Sequence, residues 1–111
     1  MDRVREYRTI VRQIFEEVTR DTPSTEDLRT ELICDDALGH YQLSEVGWDE
    51  KKRRDHVIIH ADIIDGKVWI QSDETDLTLA DLLLDAGIPR EHIVLAFHPP
   101  HLRQYTEFAT A

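Results

Sequence analysis

The dipeptide Asp65-Gly66 stands between two runs of strand-forming residues, Val57–Ile64 and Lys67–Gln71. An Asp-Gly loop between such runs is the strongest short-range signal for a β-hairpin closed by a type I′ turn. Side chains on a strand alternate between faces, so the turn also decides which residues lie together. With Ile64 opposite Lys67, Asp62 meets Trp69, His60 meets Gln71 and Ile58 meets Asp73. The other face then carries Val57, Ile59, Ala61, Ile63, Val68, Ile70 and Ser72, nearly all apolar, and needs a cover. His60, Asp62, Trp69 and Gln71 are left side by side on the opposite face.

A cover is available upstream. Val4, Tyr7, Ile10, Val11, Ile14, Phe15 and Val18 recur at three- and four-residue spacing, which predicts an amphipathic helix over 4–19 with Asp2 as N-cap. Pro23 ends it, because the residue before a proline is pushed out of the helical region. Strands are expected near Leu28–Asp35, which alternates except for Ile33, and near Tyr41–Trp48, with Gly47 marking a bulge. A charged loop, Asp49–Arg54, leads into the hairpin. Beyond Asp73, Thr78 and Asp81 suggest a capping box opening a helix through Leu79, Leu82, Leu83 and Ala86, which Gly87 and Pro89 close. Ile93–Phe97 is a short apolar run, either a small strand or a buried extended segment, and Pro99-Pro100 opens a last helical turn through Leu102 and Tyr105. The expected architecture is α+β: a four-stranded antiparallel meander covered by the N-terminal helix and followed by a helical C-terminal region.

A length of 111 residues suits a single domain. No apolar run approaches the ~18 residues that span a bilayer, and the opening MDRVREYRTI has no signal-peptide core, so a cytoplasmic protein is expected. Cys34 is the one cysteine, which leaves no internal disulfide and no cysteine-based zinc site. Thirteen basic residues against 23 acidic ones leave a net charge of −10. Binding to DNA phosphates draws on a basic surface, so direct nucleic-acid binding is disfavoured and docking onto a basic partner is favoured.

The most catalytic-looking group is His60-x-Asp62 with Gln71 and Trp69 opposite. A carboxylate beside an imidazole can serve as a general base or supply two metal ligands, yet the same group is also an ordinary polar cluster on a sheet face. No HExxH, phosphate-binding glycine loop, GxSxG or Cys/His zinc spacing occurs. His98 and His101 flank the double proline without a carboxylate at fixed spacing, and no metal or cofactor is expected. Lys51-Lys52-Arg53-Arg54 is surrounded by Asp49, Glu50 and Asp55 and reads as a self-compensating loop. Arg5, Arg8 and Arg12 share one helix face, where Arg12 can pair with Glu16. Trp69, between aliphatic neighbours and polar groups, has the anatomy of a binding hot spot, or of a core residue if the C-terminal segment folds over it.

The runs GWD (47–49), HADIIDGKVWIQSD (60–73), AGIP (86–89) and IVLAFHPPHLRQYTEFA (93–109) closely resemble the XisI family, the fdxN element excision controlling factors of cyanobacteria. Residues 20–45 depart most from that pattern. The resemblance implies a small α/β protein needed for developmentally programmed excision of a DNA element in the setting of heterocyst differentiation. Recombination itself falls to a separate site-specific recombinase, and a XisH-like protein is the implied partner. It transfers no catalytic residue. The favoured expectation is a non-enzymatic accessory factor acting by protein–protein contact, through His60, Asp62, Trp69 and Gln71 and through a second surface at Phe97, His98, Arg103, Tyr105 and Phe108. Its alternatives are a metal-dependent hydrolase or nuclease using His60 and Asp62, and a direct DNA-binding excisionase. A nuclease-neutralising factor is a narrower form of the favoured reading, and pairing of the Trp69 face with its own copy would give a homodimer.

Overall fold

The computed structural model describes residues 3–75 and 78–111. Its elements run α1 (Arg3–Arg20), β1 (Leu28–Asp35), β2 (His40–Asp49), β3 (Lys52–Ile64), β4 (Lys67–Asp73), α2 (Leu79–Asp85), a 3-10 turn at Arg90–His92, β5 (Ile93–Leu95) and a second 3-10 turn at Pro100–Tyr105. At the β3–β4 turn Asp65 has φ 51° and Gly66 φ 78°, the two positive values that a type I′ turn requires. The pairs Ile64–Lys67 and Asp62–Trp69 follow as the turn dictates.

Farther from the turn the register slips twice. Gln71 bulges from β4, so His60 faces Ser72 instead of Gln71, and Ile59 instead of Ile58 faces Asp73. Ile58 bulges from β3, between the pairs Leu43–Ile59 and Ser44–Val57. An extra residue on one strand reverses the facing of everything beyond it. Ser72 therefore joins His60 on the outer face, and Ile58 packs against the core instead of lying with the polar group. Runs such as Val57-Ile58-Ile59 hide a bulge, because each residue is apolar whichever way it points.

The sheet has five strands in the order β1-β2-β3-β4-β5, with β5 parallel to β4 through Val68–Ile93, Trp69–Val94 and Ile70–Leu95. The four-stranded antiparallel meander is thus extended to a mixed sheet, and the C-terminal region is not wholly helical. The apolar run Ile93–Phe97 does hold a small strand, three residues long, but its partner lies across the α2 crossover and no local pattern names it. The Asp49–Arg54 loop shrinks to Glu50-Lys51, since Asp49 already pairs with Lys52. Arg54 pairs with Asp49 at 3.3 Å, and Arg53 lies over the Trp48 ring.

α1 buries Tyr7, Val11, Ile14, Phe15 and Val18 against Tyr41, Leu43, Ile59, Ala61, Val68 and Ile70 of the sheet. Each such side chain contributes roughly 1.5–3 kcal/mol of apolar burial. The proposed N-cap Asp2 lies outside the described residues. At α2 the Thr78 hydroxyl makes no cap; Asp73 takes that role, its Oδ2 accepting from the Leu79 amide at 2.7 Å. Gly87, at φ 101°, closes α2 as expected. Cys34 is half-buried against the core, and burial pushes its thiol up, as suits a small packed hydrophobe.

Arg12 does not pair with Glu16. Its guanidinium grips Asp36 in the β1–β2 turn, Nη2 to Oδ2 at 2.7 Å, and the fully buried Tyr41 donates to Asp36 Oδ1 at 2.8 Å. The Arg12 hydrogen bond, then that of Tyr41, holds the Asp36 carboxyl below the ordinary carboxylate range. A folded-state value lowered in this way gives stability that is present above the unfolded value and lost as pH falls through the folded one. Urea titrations should show the unfolding midpoint dropping as pH falls below ~4, and Asp36→Asn should flatten that drop.

Gly47 does not mark a bulge, since its pairs to Leu28 and Arg54 are in register. It has φ 146°, and a Cβ there would lie 2.1 Å from the Asp27 carbonyl oxygen. Gly47→Ala should cost roughly 1–3 kcal/mol by equilibrium denaturation, as overpacking does elsewhere.

Candidate functional site

The sheet registers place His40, Asp62 and Trp69 in one row across β2, β3 and β4, with side chains on the face away from α1. Paired residues of neighbouring strands have Cβ atoms about 5 Å apart, close enough for direct contact. Asp62 is at the centre. It is the one charged residue buried among the described residues, at 8% exposure. Its Oδ1 accepts from His40 Nδ1 at 2.8 Å and from His60 Nε2 at 2.9 Å, and its Oδ2 accepts from Gln71 Nε2 at 3.2 Å. Three donors from three strands converge on one carboxylate, which offsets the cost of burying it.

The carboxylate also fixes the two rings. A carboxylate oxygen only accepts, so His40 carries its proton on Nδ1 and His60 on Nε2, which leaves His40 Nε2 and His60 Nδ1 directed away from Asp62. Half of the His40 side chain, 53%, is exposed, against 26% for His60. The cluster therefore offers imidazole edges to whatever lies on the sheet, with the carboxylate acting as their anchor. Around it Ile33 of β1 and Ile64 of β3 are exposed apolar residues. No group of three His, Cys, Asp or Glu among the described residues is arranged to hold a metal ion.

Sequence reasoning missed His40. Closing the β2–β3 hairpin tightly at Glu50-Lys51 would by itself put His40 across from Ala61, and the Ile58 bulge moves it to Asp62. Neither the tight turn nor the bulge is legible in the all-apolar run Val57-Ile58-Ile59 and the charged stretch before it. Gln71 does join the cluster, though by way of its bulge: it reaches Asp62 and does not sit across from His60.

Trp69 is placed differently from a free hot spot. Its ring is half-buried, with the Arg103 guanidinium 5.4 Å above the centroid, and its indole Nε1–H is enclosed without an acceptor. Arg103 is pinned over the ring by the C-terminal segment itself: Nε donates to the His98 carbonyl at 3.0 Å and Nη2 to the Ala96 carbonyl at 3.3 Å. A parallel bridge from Val94 to Ala109 sets the end of the tail alongside the edge of β5. The outer face is thus divided, with β4–β5 roofed by the tail and the Asp62 cluster beside the roof. His98 stacks against Phe97 at 4.6 Å, Phe97 is 48% exposed, and Tyr105 projects at 79% exposure. Phe108 packs against the core. Arg103 and Trp69 are brought together; Tyr105 stands apart from them as an exposed side chain.

With this geometry in view, the comparisons with known proteins are decisive. The XisI protein family model matches residues 1–110. The chain belongs to the XisI family. The crystal structure of a XisI-like protein from Anabaena variabilis ATCC 29413 is similar to it with a TM-score of 0.93 and 38% identity, over 97% of this chain and 99% of that one. That of the fdxN element excision controlling factor XisI from the same organism is similar with a TM-score of 0.89 and 39% identity, over 99% of this chain and all of the other. No curated protein matches the chain. Membership covers the helix, the mixed sheet and the C-terminal roof together. The family is named for a controlling factor, not for an enzyme. No helix among the described residues is long and apolar enough to cross a membrane.

Two outcomes follow from the site's construction. Asp62→Ala strands three donors and should lower stability by about 1–3 kcal/mol in urea unfolding. In a Trp48→Phe background, where Trp69 is the sole indole, Arg103→Ala should raise acrylamide quenching of the fluorescence by uncovering the ring.

Proposed function

We propose that this protein is a non-enzymatic accessory factor that controls excision of a DNA element by contacting a DNA-processing partner. The contact is made by the part of the outer sheet face that the tail leaves open. The observation that carries the reading is the Asp62 anchor: it holds His40, His60 and Gln71 in fixed orientations next to exposed Ile33 and Ile64. Rigid polar donors and acceptors beside exposed aliphatic side chains are what a specific interface uses, because little side-chain entropy is lost on docking. Arg103 over Trp69 extends the same surface, and His98 and Tyr105 lie on the adjoining tail. A catalytic reading needs a nucleophile or a third ligand within reach of the imidazoles. The Asp62 oxygens are occupied by the rings and by Gln71, so Asp62 orients the imidazoles and is not itself the acid or base.

Family membership favours a partner from the excision machinery, and a XisH-like protein is the first to test, a site-specific recombinase the second. The net charge of −10 suits a basic docking surface better than DNA itself. Isothermal titration of the full chain into a XisH-like protein should give saturable binding at micromolar concentration, and His60→Ala or Ile33→Asp should weaken it at least ~tenfold, about 1.4 kcal/mol. Absence of heat and of co-elution would remove the XisH-like assignment. Binding that vanishes with salt but ignores both substitutions would move the contact to the acidic surface, where exposed charges are screened beyond about 10 Å at 0.1 M. Stoichiometric metal in the purified protein, with a hydrolytic activity lost in His60→Ala, would replace the reading with an enzymatic one.

A further inference from the structure

On the opposite side of the molecule from the Asp62 cluster, α1 and the β1–β2 turn enclose a groove of about 490 Å³ lined by Arg5, Arg8, Thr9, Arg12, Gln13, Glu16 and Asp36. Its volume is within the ~300–1,000 Å³ of small-molecule sites. Arg5, Arg8 and Arg12 follow one another at three- and four-residue spacing, so three successive helical turns aim guanidinium groups along one stripe. Three arginines in one groove are unexpected on a chain with 23 acidic residues, unless something compensates them. Arg12 is paired directly with Asp36, whose carboxylate also feels the Arg8 charge. The Arg5 guanidinium has no hydrogen bond or ion pair among the described residues. The Arg8 Nε–H is shut off from solvent and meets no acceptor. A buried donor left unsatisfied is costly, and the charged ones most of all.

We propose that this groove binds a small phosphate-bearing molecule, with Arg5 and Arg8 as the principal donors and Arg12 completing the cradle. A guanidinium fork matches phosphate oxygens two at a time, and a phosphate has enough oxygens to satisfy two forks together. Glu16 and Asp36 at the groove's edge confine the positive field to the Arg5–Arg8 end. A polyanion such as duplex DNA would meet the acidic surface beyond the groove, whereas a compact phosphate senses only the local field. This site is independent of the partner surface proposed above.

The test is titration of pyrophosphate, and separately of a nucleoside monophosphate, into the full chain at low ionic strength, followed by calorimetry and by the arginine side-chain Nε–H resonances. Saturable one-to-one binding with a Kd of ~1 mM or tighter is expected. The Arg8 Nε–H signal should move, and Arg5→Gln should weaken binding at least ~tenfold. Arg5 is exposed, so that variant keeps the fold; Arg8→Gln is the second variant, and Arg90→Gln, remote from the groove, should bind as the parent does. Pyrophosphate alone binding points to a free phosphate, and preference for the monophosphate points to an ester; either supports the site. No saturable binding by about 10 mM, binding unchanged in Arg5→Gln, or retention of a DNA duplex through these arginines without pyrophosphate binding would overturn it.

Discussion

The two positive-φ residues at the β3–β4 turn set the register on which each layer of this protein rests. They place Asp62 opposite Trp69 on one side of the sheet and Ala61 opposite Ile70 on the other. The second pair, with Ile59 and Val68, is the floor that α1 covers. The first pair is the beginning of the outer row that His40 completes from β2. A slip of one residue at this turn would exchange the two faces, exposing aliphatic side chains and burying an unpaired carboxylate, each of which is expensive. Core and site are thus two consequences of one turn.

The two bulges then adjust what the turn began. Gln71, extra on β4, swings to the carboxylate and supplies the donor that its second oxygen needs. Ile58, extra on β3, is drawn inward to the core. Bulges are where a strand re-aims a side chain, and the one at Ile58 also sets His40 opposite Asp62. The C-terminal tail makes the remaining decision. By setting Arg103 on Trp69, it converts a wide outer face into a narrower one next to the Asp62 cluster.

The charge on the chain is distributed with similar economy. An overall −10 coexists with a local arginine stripe on α1 and with guanidinium groups laid on both tryptophans, Arg53 on Trp48 and Arg103 on Trp69. A flat cation on an aromatic face adds on the order of 0.5–1 kcal/mol at exposed sites while its donors remain free for carbonyls, as the Arg103 contacts to His98 and Ala96 illustrate.

What the amino-acid sequence determined by itself was local or periodic: the α1 stripe, the hairpin and its turn type, the glycine stop after α2, and kinship to the XisI family through the hairpin and the FHPP ending. These depend on neighbours within a few positions, where backbone sterics and side-chain period act without help from the rest of the chain. Tertiary structure alone decided the parallel pairing of β5 with β4, the bulges at Ile58 and Gln71, the entry of His40 into the site, the Arg12–Asp36 pair in place of Arg12–Glu16, the Asp73 cap of α2, and the roofing of Trp69 by Arg103. Each joins residues that local pattern does not pair, and which pairing forms depends on what the folded chain brings within reach. Such competitions are settled by the folded surroundings, and a reading of successive residues has no access to them.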